Sequence, residues 1–153
     1  MQNIVLIGIL FFFISCNNSI VFEEHKSFDN QKWNTDSLVF FNYSVADTTT
    51  KNTVIIKLRH TVDYEFQNLF LFITTDVMDT VELMLANKEG KWLGNGVCDV
   101  REFEFKYRNE KLFSKTGVYP FKIEQAMRYG SAGKIQVLNN ILSVGISIKK
   151  QDE

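Results

Sequence analysis

Glu102-Phe103-Glu104-Phe105-Lys106-Tyr107-Arg108 sets a charged side chain against an aromatic one at every second position. Successive side chains of a strand point to opposite faces. A strict two-residue period therefore puts Phe103, Phe105 and Tyr107 on one face and the charges on the other. Such a strand rests one face on a core and turns the other to water, as antiparallel sheets allow. The same period recurs on both sides of it. Val39, Phe41, Tyr43 and Val45 alternate up to Asp47-Thr48-Thr49-Thr50-Lys51-Asn52, and Val54, Ile56, Leu58 and Val62 then oppose Thr53, Lys57, Arg59 and Thr61. Leu69-Phe70-Leu71-Phe72-Ile73 is apolar on both faces, as expected for a strand in the middle of a stack. Val81, Leu83 and Leu85 precede a glycine-rich turn through Gly90, Gly94 and Gly96. Tyr119, Phe121 and Ile123 follow with Pro120 on the outer phase, which favours an edge or a strand start, and Leu142, Val144, Ile146 and Ile148 close the chain. No segment holds a 3.6-residue stripe for three turns, so almost no helix is predicted. Seven or eight strands at this spacing predict an all-β fold, an antiparallel β-sandwich of immunoglobulin-like or jelly-roll kind.

Composition agrees. Fourteen Phe, five Tyr and two Trp against a single Pro suit a core of aromatic-rich strands. The formal net charge of −1 is spread among interspersed charges, which gives no basic stripe for nucleic acid and no acidic tail.

The N-terminus is of another kind. Ile4 to Ile14 is an unbroken apolar run that ends at Ser15-Cys16, with polar residues from Asn17 onward. The run is shorter than the ~20 residues that span a bilayer but suits the apolar region of a secretory signal. A small residue directly before Cys16 predicts a lipoprotein signal peptide over 1–15, with the mature protein beginning at an acylated Cys16. Two features depart from the usual pattern: the segment before the run has no Lys or Arg, and Phe13 stands where Leu is common. Residues 16–36 read as the lipidated cysteine and a flexible tether, on which Ile20-Val21-Phe22 and Trp33 are the segments able to pin onto the domain. The sandwich is expected over 37–153. Only Cys16 and Cys98 are cysteines, so with Cys16 acylated the domain folds without a disulfide.

Signals for chemistry are weak. His25 and His60 are the two histidines, which rules out a His-rich metal cluster. His60 and Asp63 stand three apart, as parts of a hydrolase triad could, but His60 falls on the inward phase of its strand, where a hydrogen-bonded structural histidine is the commoner case. Gly130-Ser131-Ala132-Gly133 lacks the G-x-S-x-G form of a nucleophile elbow, and Gly94-Asn95-Gly96 lacks the Lys-Ser/Thr of a phosphate loop. Glu102 and Glu104 share the solvated face of their strand, Glu23/Glu24 is a second carboxylate pair, and Asp76, Asp79 and Glu82 lack the spacing of a calcium loop. Trp92 either stacks on a sugar from the rim or plugs the end of the core, and the second is the expectation. No catalytic residue, metal or cofactor is assigned, and no small-molecule substrate is expected.

Several strings in order resemble the gliding-motility lipoprotein family GldH: Arg59-His60-Thr61 with Asp63-Tyr64, Asn68 to Ile73, Asp79-Thr80-Val81-Glu82, Leu85-Ala86, Gly90-Lys91-Trp92-Leu93-Gly94-Asn95-Gly96, Gly117-Val118-Tyr119 and Glu124-Gln125-Ala126-Met127-Arg128. The likeness runs from the signal to the last strand. It departs at Cys98, where a Gly is expected, and over 129–140, which lacks the prolines expected there. The resemblance implies a non-enzymatic envelope lipoprotein of gliding Bacteroidota, linked to type IX secretion of adhesins. The residues add to this. Asn17 rather than Asp follows Cys16 and no acidic cluster comes directly after it, so a lipid-held domain facing the periplasm from the outer membrane is expected (the inner being the alternative). A disulfide-free sandwich without a catalytic constellation suits a scaffold or docking subunit among other gliding and secretion proteins. Arg59, His60, Asp63, Tyr64, Trp92, Gln125 and Arg128 match the motifs and are candidates for a partner surface or a buried polar network. Asp36-Ser37, Asp47-Thr48 and Asp79-Thr80 resemble O-glycosylation sites of that phylum, or are ordinary turn formers. The alternative function is a carbohydrate-binding sandwich lipoprotein gripping polysaccharide through Trp92, Trp33 or exposed tyrosines.

Overall fold

The computed structural model describes residues 19–130 and 133–151, so the predicted signal peptide, Cys16 and Ser131-Ala132 lie outside the described residues. Ten strands follow in chain order: β1 (Ile20–Ser27), β2 (Lys32–Asn34), β3 (Val39–Val45), β4 (Asn52–Thr61), β5 (Asn68–Thr74), β6 (Met78–Met84), β7 (Val100–Lys111), β8 (Gly117–Gln125), β9 (Val137–Asn139) and β10 (Ile141–Lys150). The helical element among the described residues is one 3-10 turn, Asp29–Gln31.

The pairing follows a single rule. The first strand pairs antiparallel with the tenth, the second with the ninth, the third with the eighth, the fourth with the seventh and the fifth with the sixth. The chain is thus one long hairpin whose closed tip is the β5–β6 turn. Rolling that hairpin up sets β10 against β4 and β8 against β5. Two four-stranded sheets result, β1-β10-β4-β7 and β3-β8-β5-β6, with β2-β9 a separate two-stranded ribbon. This is the jelly roll, which decides between the two kinds of sandwich the periodicity left open.

Alternation predicts the core well. Val39, Phe41, Tyr43 and Val45 are buried while Phe40 and Ser44 are exposed. Val54, Ile56 and Leu58 lie opposite Ile148, Ile146 and Val144 across the first sheet, and meet Leu69, Leu71, Ile73 and Ile123 of the second in one core. Two strands differ from expectation. In β5, Leu69, Leu71 and Ile73 are fully buried, but Phe70 and Phe72 are only half-buried, because the outer face of that sheet has no further layer on it. In β4, the outward residues Thr53, Lys57 and Thr61 are buried, because β4 is a central strand flanked on both sides by β10 and β7. Pro120 sits inside β8, but there β8 has β3 alone as neighbour, since its pairing with β5 runs only from Lys122 to Gln125. A proline is therefore tolerated, as at an edge.

The tether expected up to residue 36 is largely folded. Ile20–Ser27 is an edge strand, and Trp33 is fully buried, stacked on Phe28 at 4.7 Å with its indole N–H donating to the Ser37 carbonyl at 3.1 Å. No apolar period marks β1 because its backbone ladder and charges hold it, with Phe22 packed against Tyr43 as its one aromatic contact. Glu23 receives hydrogen bonds from Lys57 Nζ at 3.0 Å and from His25 Nε2 at 3.1 Å, while Glu104 lies 3.3 Å from the same Lys57 nitrogen. The bond from His25, then that from Lys57, holds the Glu23 carboxyl below its ordinary pKa. Burial opposes the charge on Lys57, but its bonds to Glu23 and Glu104 outweigh that and keep its pKa above the usual lysine value. The His25 ring lies over Gly145, at the place a Cβ would occupy.

Candidate functional site

Because the strands run antiparallel, the connections fall at two opposite ends. Ser19, the β3–β4 and β7–β8 loops and Gln151 share one end, here called the base: Asn52 is opposite both Lys150 and Lys111, and the Ser19 carbonyl accepts from Lys150 N. The β4–β5, β6–β7 and β8–β9 loops share the other, distal end. All seven motif residues lie there, on β4, β8 and these loops.

They divide by environment. His60, the last inward residue of β4, is fully buried. Its Nδ1 donates to the Thr61 carbonyl at 2.8 Å, and its ring meets Trp92 edge-on at 4.6 Å and Tyr64 at 5.7 Å. Burial holds the imidazole below its ordinary pKa, opposed by the Thr61 bond and aided by the Arg101 charge. Tyr64 is buried, donates to the Asn68 carbonyl at 3.2 Å and packs on Phe66; burial raises its pKa. Trp92 is half-buried against the core, pairs its backbone with Ala86 and covers His60 as a plug at the end of the sandwich. Gln125 is buried and bridges backbone, donating to the Ile135 carbonyl at 2.7 Å and accepting from Met127 N at 3.0 Å. These four knit the distal loops together.

The other three face solvent. Arg59 lies 3.7 Å from Glu102 on the outer face of the first sheet. Asp63 is exposed, and its backbone carbonyl accepts from Asn140 Nδ2 at 2.9 Å. Among the described residues no hydrogen bond or ion pair joins His60 to Asp63: the imidazole's bond is from Nδ1 to the Thr61 carbonyl, and its buried Nε2 has no partner. Arg128 is exposed beside the outer face of the second sheet, where Phe70, Phe72, Thr80 and Ala126 line an open groove of about 560 Å³ with it. The groove was not foreseen from the sequence, although the doubly apolar β5 was its visible sign. Exposed Leu93, Val97 and Tyr129 add further apolar surface to the same end.

The tryptophans do not make a sugar platform. Trp33 is fully enclosed and Trp92 is half-buried against His60, so no coplanar exposed pair exists between them. Asp47 behaves as a turn former, its carboxylate accepting from Thr49 N at 2.9 Å and Thr50 Oγ1 at 2.7 Å; the Thr50 bond leads those that lower its pKa. Cys98 is exposed at φ 53, the left-handed region that favours glycine, which accounts for the Gly expected there. Gly94 and Gly96 sit against the backbone of β7, where a Cβ on Gly96 would fall 1.8 Å from the Val100 carbonyl oxygen.

A family model described as GldH lipoprotein matches residues 20–148, from β1 into β10. The chain belongs to the GldH lipoprotein family. It is 35% identical to the gliding motility lipoprotein GldH of Flavobacterium johnsoniae, over 97% of this chain and 95% of that one. It is 34% identical to a gliding motility lipoprotein GldH homolog of Christiangramia forsetii, over 97% and 94% of the two chains. The GldH match begins at Ile20, the first residue of β1, and reaches all ten strands, ending within β10.

Proposed function

We propose that this chain is a lipid-anchored, non-enzymatic docking subunit of the gliding machinery, linked to type IX secretion of adhesins. Cys16 carries the acyl chains, and the body faces the periplasm from the outer membrane. The names of both relatives support the motility role. The observation that carries the docking role is the segregation of the two ends. The chain enters at the base, while the motif residues gather at the distal end, four of them bracing its loops and Arg59, Asp63 and Arg128 left at the surface. A buried His60 with a backbone partner and no acid beside it serves architecture rather than proton transfer. Two acyl chains or more, at ~0.8 kcal/mol per buried CH₂, keep the body permanently at a membrane, so a protein subunit of the machine is met in two dimensions at raised effective concentration.

Replacing Cys16 by Ser in a gliding host tests this. The protein should become soluble in the periplasm with its fold intact, and gliding should stop. Unimpaired gliding with a soluble protein would refute the anchored role. Among the distal residues, Arg128→Glu should impair gliding without lowering the amount of protein, whereas His60→Ala should lower the amount itself.

A further inference from the structure

We infer that the base of the sandwich rests on the bilayer surface, with Leu112, Lys111 and Lys115 of the β7–β8 connection touching lipid. This builds on the acylation of Cys16 proposed above. Covalent geometry carries it. Three peptide links separate Cys16 from Ser19, so their Cα atoms stay within about 11 Å in any conformation. Ser19 is itself fixed, its carbonyl accepting from Lys150 N at 2.7 Å. The anchor therefore has no slack to hold the body away from the membrane, as a twenty-residue tether would. From Ser19 the base extends along one row of strands through Lys150 and Asn52 to Lys111, about 15 Å at the usual strand spacing.

What the base presents fits a lipid surface. Phe113 is buried and fixes the β7–β8 loop from below, and Tyr119 braces it by exchanging two 3.1 Å hydrogen bonds with the Lys115 backbone. So held, the loop leaves Leu112 half out of the protein, with Val118 exposed beyond it. Among the described residues, the carboxylates of this end are mostly taken up: Asp47 by Lys150, Glu110 by Lys51 and Asp79 by Arg108, with Asp76 the remaining one. Asp152 and Glu153, which follow Gln151 in the sequence, lie outside the described residues. Lys111 and Lys115 have no carboxylate within 4 Å among the described residues. An apolar side chain flanked by two lysines without carboxylate partners, Lys111 reaching over the Phe113 ring, suits the boundary between anionic headgroups and acyl chains.

The test uses the full acylated protein in vesicles of phosphatidylethanolamine and phosphatidylglycerol. A Cys98→Ser background removes the other exposed thiol. A fluorophore is placed at Leu112→Cys or, for comparison, at Lys88→Cys in the β6–β7 loop, and lipids carry a nitroxide near the headgroup. Quenching at position 112 should exceed that at 88 several-fold, and Lys111→Glu with Lys115→Glu should reduce it. Equal quenching at the two positions, or stronger quenching at 88, overturns the inference. Intact mass separates the two layers of the reasoning: acyl chains present with position 112 unquenched refutes the base contact alone, whereas an unmodified Cys16 refutes the anchor and this inference together.

Discussion

Replacing Trp33 by Ala tests whether the chain before residue 37 is part of the folded body. Trp33 is fully buried, stacks on Phe28, faces Leu138 across the β2-β9 ribbon and donates to the Ser37 carbonyl. Truncating a buried aromatic to Ala costs about 3–5 kcal/mol through lost transfer energy and the cavity left behind. That is a large share of the ~5–15 kcal/mol that holds a domain together. Trp33→Phe keeps a ring on Phe28 but loses the indole N–H, and should cost about 1–2 kcal/mol. The assay is urea unfolding of the chain expressed from Asn17 onward, followed by far-UV circular dichroism because the substitution removes one of only two tryptophan fluorophores. With a denaturant slope of about 1.5 kcal/mol per molar, the Ala variant should unfold about 2–3 M earlier and the Phe variant about 1 M earlier. A midpoint unchanged within about 0.3 M in both would mean that the segment hangs free, and would refute the burial argument.

Three further outcomes follow from the backbone and from charge. Gly96→Ala must push its Cβ away from the Val100 carbonyl and should cost about 3 kcal/mol, read as a lower melting temperature; a neutral result would mean the loop is not seated on β7. Cys98→Gly relieves a left-handed residue and should raise the unfolding free energy by roughly 0.5 kcal/mol, read as a higher urea midpoint, with no change or a fall counting against that backbone conformation. The folded state keeps His60 neutral while the unfolded chain takes up a proton near 6.5, so stability should hold above that pH and fall as the pH drops through it. His60→Gln should flatten the loss between pH 7.5 and 5.5, and a wild-type profile already flat there would show that the imidazole is not shielded.

Strands that separate a core from water could be read directly, as Phe103, Phe105 and Tyr107 or Phe41 and Tyr43 show. Each carries its own period, independent of its partner. Pairing could not be read, because β1 and β10 lie more than a hundred residues apart and the chain has no local mark for such a match. β1 itself was hidden for a physical reason. An edge strand exposes most of its side chains, so backbone bonds and the Glu23–Lys57–Glu104 charges replace the apolar stripe that would announce it. Lys57 was equally hidden: lysine on an outward phase reads as solvated, and only a central strand covers it. At the distal end the motif strings pick out residues that share one end of the fold, but not their division. Sequence cannot tell that His60 and Gln125 brace loops while Arg128 borders a groove, since each has one polar side chain and the difference lies in what covers it.

The nested pairing governs the order in which this protein can become itself. Among the described residues β1 has β10 as its only neighbour in the sheet, so the first of these strands to emerge waits, unpaired, for the last. Closing so long a loop is slow. A chain threaded across a membrane from its N-terminus would thus spend its whole passage with its first strand unpaired, sealed only when Lys150 arrives to bond Ser19. Losing even the final ten residues would unmake both ends of the protein at once.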